Sequence, residues 1–191
     1  ELLILTPGIF SGYMKDNEAT EASFTPDGWL RTGDLARIDE DGFIFLTGRK
    51  KDIIITSGGK NITPSNIETA LMDIPLVEHA VLTGDGRPFI GALLTLSEEG
   101  LMSFKEQVEL SAPPHESAEV RAEIQKGVDR VNKDLARVEQ VREFRVLETP
   151  LTVEAGELTP TLKVKRRIVL ETRADAVASI YGEHVGEEPY R

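Results

Sequence analysis

The hydrophobic pattern of the chain changes near residue 48. Before that point, short apolar runs alternate with turns rich in glycine, proline and aspartate, which predicts short strands. The acidic turn at 39–42, followed by the apolar run 43–46, predicts a hairpin closed by an aspartate-glycine turn. After residue 48, apolar residues also recur at helical spacing. The pattern therefore predicts a β-rich segment followed by a segment of mixed helices and strands.

Residues 63–96 begin this mixed segment. Thr63 and Pro64 are typical of an N-cap and a first helical position, so we expect a helix of about two turns after them. Two apolar runs, 77–82 and 89–96, are separated by a glycine-rich turn. The second run is nearly continuous, which predicts a strand buried on both faces beside a strand formed by the first run.

A long stripe of valine, isoleucine and leucine over 116–138 predicts a helix, with Asp129 and Lys133 spaced for an ion pair. A strand at about 143–147 and a helix over 166–180 complete the pattern. The predicted fold class is α+β: a small mixed domain with a central few-stranded β-sheet flanked by helices, preceded by a β-rich fragment.

Composition narrows the function classes. The 191 residues include 33 Asp and Glu against 22 Lys and Arg, for a net charge of −11, which argues against a nucleic-acid partner. The chain has no cysteine, and its three histidines have no ligand spacing, so we expect no metal site and no disulfide. No apolar run is long enough to cross a bilayer, which favours a soluble, cytoplasmic protein. The chain enters an apolar run directly at Glu1, so we expect a piece of a longer protein.

The densest candidate chemistry lies just after the change of pattern. Arg49, Lys50 and Lys51 form a basic cluster in an acidic chain, and the run 57–60 (Ser-Gly-Gly-Lys) follows closely. Glycine leaves backbone amides open to a ligand, so together they indicate an anion site, such as one for phosphate. Taken singly, the basic residues are also typical of solvated surface, and the glycines of an ordinary β-turn.

Two further positions are candidates. Asp34 follows a glycine turn, where its carboxylate suits a vicinal diol such as ribose, or simply satisfies its own turn. Lys163 lies in a run of four cations near a predicted helix start, where positive charge opposes the helix dipole. A phosphate ligand, an acidic partner surface or a solvated basic turn would each account for that run.

Together these segments resemble the carboxyl-terminal motif series of the adenylate-forming enzymes, the superfamily of acyl-CoA synthetases, peptide-synthetase adenylation domains and firefly luciferase. The motifs are 27–34 (DGWLRTGD), 41–52 (with GRKKD), 58–68 (GGKNITP…IE) and 160–163 (PTLK), in that order over about 140 residues. The sequence of the third motif most resembles that of the long-chain fatty acid-CoA ligase branch. One departure is Leu162, where the family often has glycine.

The resemblance implies a role for each candidate. Asp34 and Arg49 would bind the ribose of ATP, and Lys51 would be the hinge. Lys163 would bridge the carboxylate and the α-phosphate during adenylation. The glycine turn would line the channel for CoA, through Ser57, Gly58, Gly59 and Lys60. Lys60 would also contact the nucleotide.

The implied reaction activates a fatty acid with Mg-ATP to an acyl adenylate and then transfers the acyl group to CoA. Residues 1–48 would be the end of the large nucleotide-binding domain, and 49–51 would be the hinge. Residues 52–191 would form a mobile lid that rotates between the half-reactions. The phosphate-gripping loop and the acyl pocket would belong to a missing amino-terminal domain, the main partner. The isolated chain should therefore be inactive.

Other functions stay open on the sequence. The chain could instead belong to another member of the same superfamily: a fatty acyl-AMP ligase, which stops at the adenylate, or a carrier-protein-directed adenylation domain, which transfers the acyl group to a carrier protein. A further alternative is an interaction module that has the fold, binds a partner and has no catalytic activity. Residues 101–140 are longer than the superfamily minimum; they leave a dimer contact or a peripheral membrane contact open, although their helical stripe favours packing on the small domain.

Overall fold

The computed structural model describes residues 1–182. It divides the chain into two compact units, Glu1–Ile53 and a second unit that begins at Ile54. The division lies five residues after the change of hydrophobic pattern at residue 48.

The first unit is built from short antiparallel strand pairs. Asp39 Oδ1 accepts hydrogen bonds from the amides of Asp41 and Phe43, at 3.1 and 2.8 Å, so the predicted hairpin turn is confirmed. A short helix was not predicted there; its N-cap Asp16 accepts from the amide of Ala19. The elements are β1 (Leu3–Ile4) paired with β2 (Leu30–Arg31), α1 (Asn17–Ala22), β3 (Asp34–Ile38) paired with β4 (Ile44–Arg49), and a 3-10 turn (Lys50–Asp52).

The second unit surrounds a three-stranded sheet. Its strands are β7 (Val77–Thr83), β8 (Ile90–Leu96) and β9 (Val141–Val146), with β8 central, antiparallel to β7 and parallel to β9. A small ribbon of β5 (Ile54–Ile55) and β6 (Asn61–Ile62) precedes it. The helices are α2 (Pro64–Met72), α3 (Glu98–Lys105), α4 (Ala118–Lys133), α5 (Arg166–Thr172) and α6 (Ala174–Ile180).

The central strand β8 explains the nearly continuous apolar run. Ile90, Ala92 and Leu94 belong to one buried cluster, whereas Leu93 belongs to a second cluster on the opposite face. Each face of the strand is therefore covered, as predicted. The helix start at Pro64 is also confirmed, although the side chain of Thr63 makes no capping hydrogen bond.

Helix α4 covers one face of the sheet with Val120, Ile124 and Val128, all fully buried. The helix ends at Lys133, five residues before the predicted end. The side chain of Asn132 exchanges two hydrogen bonds with the backbone of Val141, at 2.9 Å each, and so ties the helix end to β9.

Two expectations about the helices are wrong. Asp129 accepts a hydrogen bond from Gln125 at 2.8 Å, and no ion pair joins it to Lys133 in the described part of the chain. The helix predicted over 166–180 is divided into α5 and α6 at Arg173. Arg173 has φ −108° and ψ 29°, outside the helical range, and its guanidinium contacts a buried carboxylate described below.

The residue Gly100 provides a test of the packing of α3. A Cβ atom at this position would lie 1.8 Å from the carbonyl oxygen of Pro75. Helix propensity alone would favour alanine by about 1 kcal/mol. The steric overlap is with backbone, which cannot rotate away, so we expect Gly100→Ala to lower the free energy of unfolding by about 1–3 kcal/mol.

Denaturant unfolding of Gly100→Ala and Met102→Ala measures this effect. Met102 lies on the same helix and is 68% exposed, so its replacement should change stability by less than about 0.5 kcal/mol. A more stable Gly100→Ala protein would show that α3 lies farther from Pro75 than the structure has it.

No helix within residues 1–182 combines the length and the apolar character needed to cross a membrane.

Candidate functional site

Asp34 and Arg49 face each other across the β3–β4 pair. Their side chains form a salt bridge of 2.8 Å between Asp34 Oδ1 and Arg49 Nε. The Asp34 side chain is 27% exposed and that of Arg49 54%, so both remain accessible to a ligand. The Asp34 amide, rather than its carboxylate, engages the turn by donating to Thr32 Oγ1 at 3.0 Å. The structure thus places the two predicted ribose contacts together in the first unit.

Lys51 lies in the 3-10 turn that ends the first unit. Its neighbour Lys50 makes an ion pair with Glu1 at 3.1 Å, whereas Lys51 is exposed and has no ion pair in residues 1–182. The boundary between the two units follows two residues later, after Ile53.

The run of Ser57, Gly58, Gly59 and Lys60 forms the exposed turn of the β5–β6 ribbon. The Gly59 amide donates to the Thr56 carbonyl at 2.8 Å, and Gly59 has φ +71°, a conformation that favours glycine. A Cβ atom on Gly58 would meet only Thr56 Oγ1, at 3.9 Å. The Gly58 side of the turn is therefore an open surface.

A pocket of about 360 Å³ adjoins this turn. Part of its lining comes from the loop between α4 and β9, which contains Arg137, and from the start of β9, which contains Arg142. Neither residue was predicted as a site residue. With Lys60 they bring three cations to one concave surface of an acidic chain, and none of them has an ion pair within residues 1–182. The lining residues are Thr56, Gly58, Lys60, Pro88, Phe89, Arg137, Val138, Gln140 and Arg142.

The fold, rather than a local motif, assembles this pocket. Strand β9 runs parallel to β8, so the chain returns along α4 and enters the sheet beside the glycine turn. Gln140 Nε2 holds this return by donating to the carbonyl of Asn132 at 3.0 Å. Arg137 and Arg142 are about 80 residues from Lys60 in sequence, so no sequence spacing indicated their proximity.

Lys163 lies near the tip of a small hairpin formed by residues 157–165, here called the lysine hairpin. Its rungs are backbone hydrogen bonds of 2.8 Å from Lys165 to the Glu157 carbonyl and from Thr159 to the Lys163 carbonyl. The Lys163 amide also donates to Thr159 Oγ1 at 3.0 Å. The side chain of Lys163 is exposed, without an ion pair in the described residues. The hairpin precedes α5, so Lys163 is not part of a helix start.

The hairpin contains a strained residue. Leu162 has φ +59°, in the left-handed region that costs a non-glycine residue roughly 1–2 kcal/mol. This is the position where the sequence departs from the family's usual glycine. The leucine therefore adopts a backbone conformation that a glycine would favour.

The family match begins three residues before the second unit. The family description of the AMP-binding enzyme C-terminal domain matches residues 51–185. The long-chain-fatty-acid-CoA ligase FadD15 of Mycobacterium tuberculosis is 43% identical over 188 residues, which cover 96% of this chain and 31% of the relative. The long-chain-fatty-acid-CoA ligase ACSBG1 of Rattus norvegicus is 36% identical over 197 residues, covering 92% of this chain and 27% of the relative. The chain thus spans about a third or less of these relatives.

Solved structures agree with this fold. The adenylation domain of a carboxylate reductase from Mycobacterium chelonae superposes with a TM-score of 0.81 and 26% identity, covering 96% of this chain and 28% of that one. The o-succinylbenzoate CoA synthetase of Bacillus subtilis, solved with its acyl-adenylate intermediate, has a TM-score of 0.63 and 26% identity, with 86% and 29% covered.

Proposed function

Because the chain belongs to the family of AMP-binding enzyme C-terminal domains, we propose that it is the carboxyl-terminal part of a long-chain fatty acid-CoA ligase. The observation that carries this proposal is the second unit itself. It presents an exposed lysine on one hairpin and an open glycine turn beside a cationic pocket on another. These are the two kinds of site that adenylation and thioester formation require, and the relatives named above are fatty acid-CoA ligases at 43% and 36% identity.

In the first half-reaction, the fatty carboxylate attacks the α-phosphorus of ATP and pyrophosphate leaves. Negative charge gathers on the phosphoryl oxygens in the transition state. The Lys163 ammonium, with no ion pair to satisfy it within residues 1–182, is suited to offset that charge. Asp34 and Arg49 would hold the ribose. Magnesium would accompany ATP. Within residues 1–182, no group of three or more acidic, histidine or cysteine side chains is placed to hold a metal ion.

In the second half-reaction, the CoA thiol attacks the acyl adenylate and AMP leaves. The glycine turn would let the narrow pantetheine arm pass close to the backbone, with Ser57 beside it. Lys60, Arg137 and Arg142 would contact the phosphates of CoA, because an anionic ligand matches the charge of the pocket. The pocket volume of about 360 Å³ is within the range of small-molecule sites.

Lys163 and the glycine turn serve different half-reactions, so the second unit would present them in alternation. We place the rotation at Lys51, with residues 1–48 as the end of the large domain, 49–51 as the hinge and 52–191 as the lid. The boundary between compact units after Ile53 supports a hinge in this part of the chain.

Asp34 offers a test of the nucleotide site. We expect Asp34→Ala to raise the KM for ATP about tenfold to a hundredfold, because a hydrogen bond to a charged group contributes about 1.5–3 kcal/mol. Initial rates of pyrophosphate release by the full-length protein, measured against ATP concentration, check this. Asp41→Ala is the matched control, since Asp41 lies exposed in the turn of the same β3–β4 hairpin. An unchanged KM would place the ribose elsewhere.

The function itself is tested by supplying the full-length protein with palmitate, ATP and CoA. Palmitoyl-CoA and AMP are the expected products. Adenylate without thioester would favour an acyl-AMP ligase, and transfer only to a phosphopantetheinyl carrier protein would favour a carrier-directed adenylation domain. Absence of pyrophosphate release with fatty acids of any length would favour the non-catalytic module.

A further inference from the structure

A buried carboxylate lies at the base of the lysine hairpin. Glu157 is 1% exposed, yet it is charged and lies on a loop. Arg173 Nε donates to its Oε1 at 2.8 Å and Arg173 Nη2 to its Oε2 at 3.2 Å, in a two-point contact. Thr172 Oγ1 adds a third hydrogen bond at 2.9 Å. Such an arrangement satisfies the carboxylate fully, as a buried charge requires.

The charge of Glu157 is maintained against its burial. Burial raises the pKa of this carboxyl, but hydrogen bonds from Arg173 and Thr172, together with the charge of Arg173, leave the pKa below its ordinary value. The residue is therefore an ionised anchor at neutral pH.

The backbone of Glu157 connects this anchor to Lys163. The Glu157 carbonyl accepts from the Lys165 amide at 2.8 Å, which forms the first rung of the hairpin. The Thr159 amide donates to the Lys163 carbonyl at 2.8 Å, which forms the second rung, and these two bonds bracket the bridge between Leu158 and Val164. Glu157 is in the first rung and Lys163 is in the second, so the anchored residue and the lysine lie on neighbouring rungs.

The other half of the anchor comes from the helix break. Arg173 is the residue at which α5 and α6 part, and its Nη1 also donates to Thr149 Oγ1 at 2.9 Å. Through its guanidinium, Arg173 connects Thr149 and the base of the lysine hairpin at Glu157 to helices α5 and α6.

From these contacts we infer that Glu157, held by Arg173, is a positioning residue that fixes the lysine hairpin and so aims the Lys163 ammonium at the reacting phosphate. This inference rests on the proposed function. A hairpin of nine residues with Leu162 in a strained conformation needs such a support to keep one geometry. Small displacements of a catalytic group have large effects on rate, about a hundredfold per ångström.

The experiment uses the full-length protein with Glu157→Gln, which keeps the shape of the side chain and removes its charge. Glu171→Gln is the matched control, because Glu171 lies on α5 with 57% side-chain exposure and, within residues 1–182, pairs only with the exposed Arg167. Both half-reactions are measured separately: pyrophosphate release with palmitate, and palmitoyl-CoA formation from preformed palmitoyl adenylate. Amide hydrogen exchange over 158–165 reports on the hairpin directly.

We expect Glu157→Gln to slow pyrophosphate release about tenfold to a hundredfold, to leave the thioester step within about twofold, and to speed exchange over 158–165. Arg173→Lys keeps the positive charge and loses the two-point contact, so it should show a smaller loss in the same half-reaction and provides the test if Glu157→Gln does not fold. Glu171→Gln should match the wild type throughout.

Lys163→Ala, measured in parallel, separates the two ways of failing. If Lys163→Ala loses pyrophosphate release and Glu157→Gln keeps it, the positioning role is wrong and the proposed function stands. If both half-reactions fall together in Glu157→Gln, Glu157 has only a general structural role. If exchange over 158–165 is unchanged, Glu157 does not fix the hairpin and the positioning role is wrong. If Lys163→Ala keeps full pyrophosphate release, the proposed role of Lys163 fails, and the inference with it.

Discussion

Lys163→Ala is expected to lower the rate of adenylate formation about a hundredfold to a thousandfold, because removing one preorganised donor from a developing oxyanion has an effect of this size. The backbone of the lysine hairpin should survive the change, since the Lys163 amide and carbonyl both bond to Thr159. The lost group is therefore the ammonium alone. Palmitoyl-CoA formation from preformed palmitoyl adenylate should continue, because that step would not use this lysine.

The measurement compares pyrophosphate release in the wild type, Lys163→Ala and Lys165→Ala. Lys165 is also exposed and lies in the same hairpin, so its removal subtracts the same charge two residues away. A similar loss in both variants would mean that the net charge of the segment matters rather than the position of one ammonium. Normal rates in both would remove the catalytic lysine from this hairpin.

Local sequence was sufficient to predict elements whose cause is local. Pro64 fixes a first helical position, and the nearly continuous apolar run of β8 is best satisfied by burial on both faces. The β3–β4 hairpin was predicted from its aspartate-glycine turn, and its register places Asp34 opposite Arg49. The two residues expected from the family resemblance to share a ligand are therefore in contact.

Features with a distant cause could not be predicted. The helix pattern over 166–180 is intact in the sequence, and the break occurs at Arg173, whose guanidinium contacts the buried Glu157, 16 residues earlier. Likewise, Arg137 and Arg142 reach the glycine turn only because β9 enters the sheet parallel to β8. Both cases depend on tertiary contacts, which periodicity does not encode.

The pocket changes the interpretation of the glycine turn. On sequence alone, an ordinary β-turn was as good an explanation as a ligand channel. An ordinary turn would need neither an accessible cavity beside Gly58 nor three cations around it. The alternative of solvated surface is weaker for Lys60, Arg137 and Arg142 together than for any one of them, because like charges repel when they share a concave surface. An anionic ligand would relieve that repulsion.

Gly58→Leu should therefore abolish the second half-reaction selectively, with palmitoyl-CoA formation from preformed adenylate falling about a hundredfold or more. Gly58 is not in the left-handed region, and a Cβ atom added to it would have only one neighbouring atom within 4 Å. Leucine therefore fits the backbone, and because Gly58 lines the pocket, we expect the added side chain to narrow it. Pyrophosphate release should stay near the wild-type rate, because Lys163 lies on another hairpin.

Gly58→Ala is the graded control for this prediction. Its Cβ would make an ordinary contact of 3.9 Å with Thr56 Oγ1, so it should change the thioester rate only slightly. Substitution of Gly59 is unsuitable, since its φ of +71° would add backbone strain to any steric effect. A leucine variant that forms thioester at the wild-type rate would exclude the pocket as the CoA channel. Equal losses in both half-reactions would instead indicate that the ribbon has lost its fold, which the thermal unfolding of the two variants would show.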